Sequence, residues 1–176
     1  RSSDLLTHAH FDHAANANKI KEKYKTTVIV QKDEAIYLAN GDNILPNGTT
    51  IFTKPIVNVL GRRLFSRFKY EPCQPNILVN SEYDLSKLGF NAYLIHTPGH
   101  TAGSMSLIID DELAIVGDTM FGVFKWSVFP PYAEDEKLMI KSWGKLLETK
   151  CSEFIPSHGT AKSRLLVQKE YNKRNK

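Results

Sequence analysis

Three of the six histidines of the chain stand within six positions of one another, in a run from His8 to His13 that reads HAHFDH. Asp12 lies in the same run, so four side chains with metal-binding atoms follow one another closely. Imidazole and carboxylate groups suit zinc, and they also bind iron or manganese. Residues two apart on an extended turn can point the same way, so His8 and His10 would hold one ion while Asp12 and His13 face a neighbouring point. The run therefore predicts a metal site.

Four ligands in so short a run cannot surround two ions, so the remaining ligands must come from distant parts of the chain. Three candidates stand beside turn-forming residues at predicted strand ends, namely His100, Asp118 and His158. Loops at the edge of a rigid sheet are common places for such side chains to converge. The sixth histidine, His96, lies inside a predicted strand, where we expect it to pack or to support a ligand without binding an ion.

Short apolar runs alternate with amphipathic stretches, which predicts one α/β domain over residues 1–176. Strands are predicted at 3–7, 27–31, 77–80, 90–97, 104–109, 113–116 and 153–155, and helices at 14–24, 33–38, 134–148 and from 161 onwards. Asp33 is expected to cap the second of these helices. Because short turns separate the four strands between 77 and 116, antiparallel pairing is expected for them.

The segment 42–76 is rich in proline and glycine and indicates an excursion from the core. From position 43 to 70 it carries five basic residues and no acidic one, and its apolar residues recur at helical spacing. This pattern predicts a basic amphipathic lid. A lid of this kind would attract an anionic small-molecule substrate, with Arg62, Arg63 and Phe65 as candidate contacts. The alternative is a solvated surface helix whose charges serve solubility.

The histidine run followed by His100, Asp118 and His158 resembles the metallo-β-lactamase-fold hydrolase superfamily, and especially its small glyoxalase-II-like members. The resemblance covers essentially the whole chain. It implies an αββα sandwich of two mixed sheets with helices outside, from which the first strands would be missing. It also implies two metal ions, the first held by His8, His10 and His100, the second by Asp12, His13 and His158, with Asp118 bridging them.

The same resemblance implies a hydrolase with two zinc ions per chain, iron and manganese being the alternatives. Two cations held close together lower the pKa of a bound water from 15.7 towards about 7, so a metal-bound hydroxide forms at neutral pH. This hydroxide would attack an ester, thioester, lactone or amide. As the catalytic residue, Asp12 would orient the hydroxide and accept its proton, and the metals would stabilise the oxyanion.

Two other functions are compatible with these residues. Persulfide dioxygenases of the same superfamily share the HxHxDH motif but hold a single iron with the equivalents of His8, His10 and Asp118 or His100. Nucleic-acid processing is suggested by the sequence pI near 9.0. Nuclease members carry a large inserted domain or a protruding arm, for which the segment 119–157 leaves little room, so this function is disfavoured.

The composition, with 41% hydrophobic and 24% charged residues, is typical of a soluble globular domain. The chain contains no apolar run long enough for a membrane-spanning helix. Cys73 and Cys151 form no paired pattern, which favours a reducing compartment such as the cytoplasm. Because the chain begins at Arg1, just before the histidine run, we expect an N-terminally truncated fragment. Its first sheet would be incomplete or completed by another chain, as in a homodimer. The lack of its first strands can leave such a fragment inactive even when its metal ligands survive.

Overall fold

The computed structural model describes residues 3–42, 47–61 and 68–176, and these residues form two β-sheets. The first sheet is parallel, in the order β1-β2-β3, with strands β1 Ser3–Leu5, β2 Thr27–Gln31 and β3 Ile77–Val79. The second runs in the order β4 to β9, with strands β4 Glu82–Asp84, β5 Ala92–His96, β6 Met105–Ile109, β7 Leu113–Gly117, β8 Glu153–Pro156 and β9 Lys162–Ser163.

Helices lie in the connections β1–β2, β2–β3 and β7–β8, and after β9. They are Phe11–Ala14, Ala17–Tyr24, Ala35–Asn40, Thr53–Ile56, Glu136–Glu148 and Arg164–Arg174, with a π-helical turn Val57–Gly61 and a 3-10 turn Ser86–Leu88. The longest helix begins where the Asp135 carboxylate accepts the Leu138 N–H, which satisfies one of the free donors of its first turn. No helix in the described part of the chain combines the length and apolar character that crossing a bilayer requires.

Side chains of β2 alternate between two different environments. Val28 and Val30 are fully buried against the helices on one face of the first sheet, in a cluster that includes Ala17 and Leu38. Ile29, which points the other way, belongs to a separate cluster with residues of the second sheet. The first sheet is therefore covered by helices on one face and by the second sheet on the other.

The second sheet shows the same alternation along β5. Leu94 packs between the sheets with Ile29, whereas Ile95 packs on the opposite face with Trp143 of the helix Glu136–Glu148. The layers follow one another as helix, sheet, sheet and helix. This arrangement confirms the predicted αββα sandwich.

The prediction of antiparallel pairing is wrong for β3. This strand pairs parallel with β2, placing Ile77 beside Ile29, because the chain completes the first sheet before it crosses to the second. The strands β5, β6 and β7 do pair antiparallel, as expected. The strand β4, which the sequence did not predict, pairs antiparallel with β5. β8 pairs parallel with β7, since a helix crosses between them.

The predicted helices all begin later than expected, at residues 17, 35, 136 and 164 and not at 14, 33, 134 and 161. Asp33 does not cap the helix Ala35–Asn40, which follows Glu34 and has no side-chain capping hydrogen bond. Instead, the Asp33 carboxylate accepts a hydrogen bond from the Gln31 amide at 3.2 Å. The helix predicted at 14–24 is preceded by a separate helical turn and begins only at residue 17.

Only part of the predicted lid falls within the described residues. Residues 53–61 are helical, with Val57 buried, while Ile51 and Phe52 just before them are largely exposed. The candidate substrate contacts Arg62, Arg63 and Phe65 lie outside the described residues. Their role therefore stays a prediction.

Candidate metal centre

The predicted ligands lie at strand ends of both sheets. Those of the histidine run follow β1, directly or in the helical turn Phe11–Ala14. The others come from the second sheet, where His100 follows β5, Asp118 follows β7 and His158 follows β8. Each sheet thus supplies part of one convergent cluster.

The inner group consists of His8, His10 and His100, all buried. Their ligand atoms lie within 4.8 Å of one another. The Nε2 atom of His100 is 3.0 Å from Nδ1 of His10. The structure therefore brings the imidazoles of His8 and His10 together with that of His100, which lies 90 positions after His10.

The outer group consists of Asp12, His13 and His158, and it is more open to solvent. The Oδ2 atom of Asp12 lies 3.2 Å from Nε2 of His158 and 3.5 Å from Nε2 of His13. The side chains of Asp12 and His158 are 54% and 40% exposed. This group is therefore more exposed to solvent than the inner group.

Asp118 lies between the two groups. One carboxylate oxygen, Oδ2, is 3.7 Å from Nε2 of His100 and 3.4 Å from Nε2 of His158. The other oxygen is 3.6 Å from Nε2 of His13, and a third possible ligand set joins Asp118 to His8 and His13. A carboxylate in this place can contribute to either group.

Several buried polar atoms of the cluster have no hydrogen-bond partner among the described residues. They are Nε2 of His8, His10 and His13, and Oδ1 of Asp118. Buried polar atoms without partners are rare in folded proteins because each costs about 1–3 kcal/mol of desolvation. Imidazole and carboxylate atoms converging in this way fit a divalent cation, which would satisfy them together.

Backbone and hydroxyl groups orient two of the inner imidazoles. Nδ1 of His100 lies 3.0 Å from the carbonyl oxygen of Tyr132, to which it can only donate, so the Nε2 lone pair faces the cluster. Nδ1 of His8 is 3.1 Å from the Thr7 hydroxyl. Sequence reasoning missed Tyr132, since a contact made by a backbone carbonyl carries no signal in residue type.

Burial keeps the inner group free of protons. Desolvation, reinforced by the neighbouring imidazoles, lowers the pKa of His8 well below its ordinary value. The same causes lower the pKa of His10 to about 3, and burial lowers the pKa of His100. Neutral imidazole is the form that binds metal, so these three side chains are ready to do so at neutral pH.

Carboxylates have the opposite effect in the outer group. Burial alone would lower the pKa of His13, but the carboxylates of Asp118 and Asp12, 3.6 and 3.5 Å from its Nε2, raise it to about 9. The neighbouring His13 imidazole in turn holds the pKa of Asp12 below its usual range. At neutral pH the metal-free outer group therefore contains a protonated imidazole between two carboxylates.

Glycines permit the close approach of the loops that carry ligands. Gly117, immediately before Asp118, has φ +56°, and a Cβ there would lie 2.8 Å from Oγ1 of Thr7. Gly99, immediately before His100, has φ +129°, and a Cβ there would lie 2.2 Å from the Met139 nitrogen. Any side chain at either position would push a ligand loop away from its neighbour.

A cavity of about 410 Å³ opens over the cluster. Its floor includes ligands of both groups, and its walls are aromatic and proline side chains, namely Phe11, Phe68, Phe121, Pro130, Pro131 and Tyr132. His96 takes no part in the cluster. Its Nε2 instead lies 2.8 Å from the carbonyl oxygen of Ala102.

Known proteins share both the sequence pattern and the fold. The family described as the Metallo-beta-lactamase superfamily matches residues 5–158. A relative from Methanocaldococcus jannaschii, named as a metallo-hydrolase, is 29% identical over 171 residues, 92% of this chain and 72% of that protein. A hydroxyacylglutathione hydrolase of Haemophilus influenzae is 28% identical over 119 residues, 66% of this chain and 49% of that protein.

The fold resembles a solved archaeal structure as well. A metallo-beta-lactamase superfamily protein from Sulfolobus tokodaii superposes with a TM-score of 0.69 at 24% identity. The match covers 99% of this chain and 68% of that one. The chain thus spans only part of each of these proteins, and only about half of the Haemophilus hydrolase.

Proposed function

Because this chain belongs to the metallo-beta-lactamase superfamily, we propose that it is a metal-dependent hydrolase with two divalent ions, one in the inner and one in the outer group. One observation carries the proposal: ligand atoms from both sheets converge at the floor of one cavity, and several of them are buried without partners. Asp118, placed between the groups, would contribute to both. Zinc is the first ion to test, followed by iron and manganese.

Divalent ions bound there would supply Lewis-acid activation of a water and of the substrate carbonyl. Asp12, the most exposed of the ligands, is the residue that we propose to orient the attacking water and to take its proton. Nε2 of His158 lies 3.2 Å from that carboxylate and would help to orient it. Aromatic and proline side chains line the cavity, so a bound substrate would displace water from its floor and strengthen electrostatic interactions there.

The proposed substrates are small molecules with a hydrolysable carbonyl, as in an ester, thioester, lactone or amide. The relative named as a hydroxyacylglutathione hydrolase makes a thioester the first class to test. The apolar walls of the cavity would accommodate the part of the substrate beside the scissile bond.

Metal content and a substrate panel, measured on the same preparation, test this proposal. The panel contains S-lactoylglutathione, a homoserine lactone, a chromogenic β-lactam and a phosphodiester. Two bound ions together with hydrolysis of a carbonyl substrate support the proposal. A single iron with oxygen uptake on glutathione persulfide would establish a dioxygenase instead, and a chain that binds no divalent ion would overturn both functions.

A further inference from the structure

The backbone between the first two inner ligands is held from both sides. Ala9, which separates His8 from His10, is completely buried. Its N–H donates to Oε2 of Glu34 at 2.7 Å, and its carbonyl accepts the Tyr70 hydroxyl at 3.0 Å. Since the N–H belongs to the peptide unit before Ala9 and the carbonyl to the one after it, both units that join the two imidazoles are fixed.

Glu34 extends this restraint to the third inner ligand. Its other oxygen, Oε1, accepts the Gly103 N–H at 3.0 Å, in the loop that also carries His100. The fit is tight, because a Cβ on Gly103 would lie 2.5 Å from Cγ of Glu34. One carboxylate therefore joins the β1 loop of the first sheet to the β5–β6 loop of the second.

Glu34 is a buried carboxylate, so its hydrogen bonds must offset the free energy lost when it leaves water. Glu34 is only 1% exposed, and a carboxylate taken out of water must be compensated by strong hydrogen bonds. It accepts hydrogen bonds from the backbone amides of Ala9 and Gly103, which belong to the loops that carry the predicted ligands. Tyr70, 8% exposed, directs its hydroxyl at the same short stretch of backbone.

We propose that Glu34 and Tyr70 are positioning residues that set the spacing of His8, His10 and His100 for the first metal ion. The inference rests on the proposed function, because it assigns these residues a role toward the ion of the inner group. Neither residue reaches the ion or the substrate. Both act through the backbone of the ligand loops.

Glu34→Gln and Tyr70→Phe test the inference with little change in side-chain size. The glutamine places an amide group where one backbone N–H now finds an oxygen, and the phenylalanine removes only the hydroxyl. We expect Glu34→Gln to bind the first Co²⁺ about 10- to 100-fold more weakly, and Tyr70→Phe about tenfold more weakly, as for other residues that orient metal ligands. The visible absorption of the bound Co²⁺ should also change, since it reports ligand geometry.

Glu170→Gln is the matched control. Glu170 is another buried glutamate, 4% exposed, which accepts hydrogen bonds from Ser127 and Arg174 and does not line the cavity. This variant should lose stability, measured by thermal unfolding, but should bind Co²⁺ with the affinity and spectrum of the unaltered chain.

Three outcomes are distinguishable. An unaltered chain that binds no Co²⁺ overturns the proposed function and this inference with it. Binding by the unaltered chain, with the same affinity and spectrum in Glu34→Gln and Tyr70→Phe, overturns the inference alone. If circular dichroism shows that Glu34→Gln is unfolded, Tyr70→Phe decides the matter, because it keeps the packed ring.

Discussion

His8 and His10 of the inner group and His13 of the outer group are the same residue type, but their pKa values are shifted in opposite directions. In the inner group, burial among other imidazoles lowers the pKa of His8 and His10, so no proton competes with a metal ion. In the outer group, Asp118 and Asp12 raise the pKa of His13 to about 9. His10 and His13 are three positions apart, so the difference arises from their surroundings and not from the motif itself.

The largest expected effect is the loss of one metal ion when a ligand is removed from its group. His100→Ala should lower affinity for the inner ion by about a hundredfold or more, beyond the 10- to 100-fold typical of residues that only orient ligands, and should abolish turnover. His158→Ala should release the outer ion while the inner ion stays bound. Metal content by mass spectrometry and the rate of hydrolysis are the measurements.

His96→Ala is the control for these variants, because His96 contacts the Ala102 carbonyl and lies outside the ligand groups. It should keep both ions. If His158→Ala lost both ions to the same extent as His100→Ala, the two groups would not bind their ions independently.

The pH dependence of metal uptake should differ between the groups. An ion entering the outer group must displace the proton of His13, so its affinity should rise about tenfold per pH unit up to about pH 9. His10, with a pKa of about 3, carries no proton in this range, so uptake by the inner group should change little between pH 6 and pH 9. Calorimetric titration at several pH values measures both slopes. Equal slopes would contradict the assignment of the proton to His13.

The free energy of unfolding of the metal-free chain should depend on the proton bound to His13. The pKa of His13 rises from 6.5 to about 9 on folding, so the folded state binds this proton more tightly than the unfolded state. The resulting stabilisation is complete below about pH 6.5 and disappears as the pH rises through 9, a change of roughly 1–3 kcal/mol. Urea unfolding with a chelator present measures it, and His13→Gln should remove this part of the pH dependence.

Gly117→Ala should have the smallest effect and should act on both groups. The left-handed backbone at this position costs a side chain about 1–2 kcal/mol, and the new Cβ would press on Thr7. Because Asp118 follows directly and lies between the groups, affinity for both ions should fall together, while thermal unfolding shifts by a few degrees. A variant that weakens only one ion would place Asp118 in that group alone.

The local part of the site was predictable, because His8, His10, Asp12 and His13 are adjacent in sequence. Their chemistry and spacing are sufficient to indicate a metal site. The distant residues His100, Asp118 and His158 were found only as histidines or an aspartate beside turn formers, with roles implied by a family resemblance. The structure brings them to the cluster, while their role as ligands stays a prediction.

Other features depend on contacts that no local pattern contains. Glu34 and Tyr70 reach Ala9 from 25 and 61 positions away, and each looks like an ordinary helix or loop residue in the sequence. The prediction for the pairing of β3 was wrong for a related reason. Short turns predict that neighbouring strands pair, but the choice between two sheets is made by packing, here of Ile29 and Val79 between them.

Each ligand group takes members from both sheets, and this has a consequence for the order in which the molecule assembles. During refolding, neither sheet alone could offer a complete site, so high-affinity uptake must wait until the two have docked. The visible absorption of a bound ion such as Co²⁺ would then report when the two sheets dock. In the folded protein the bound ion would link the two sheets and slow amide hydrogen exchange at the edge where they meet.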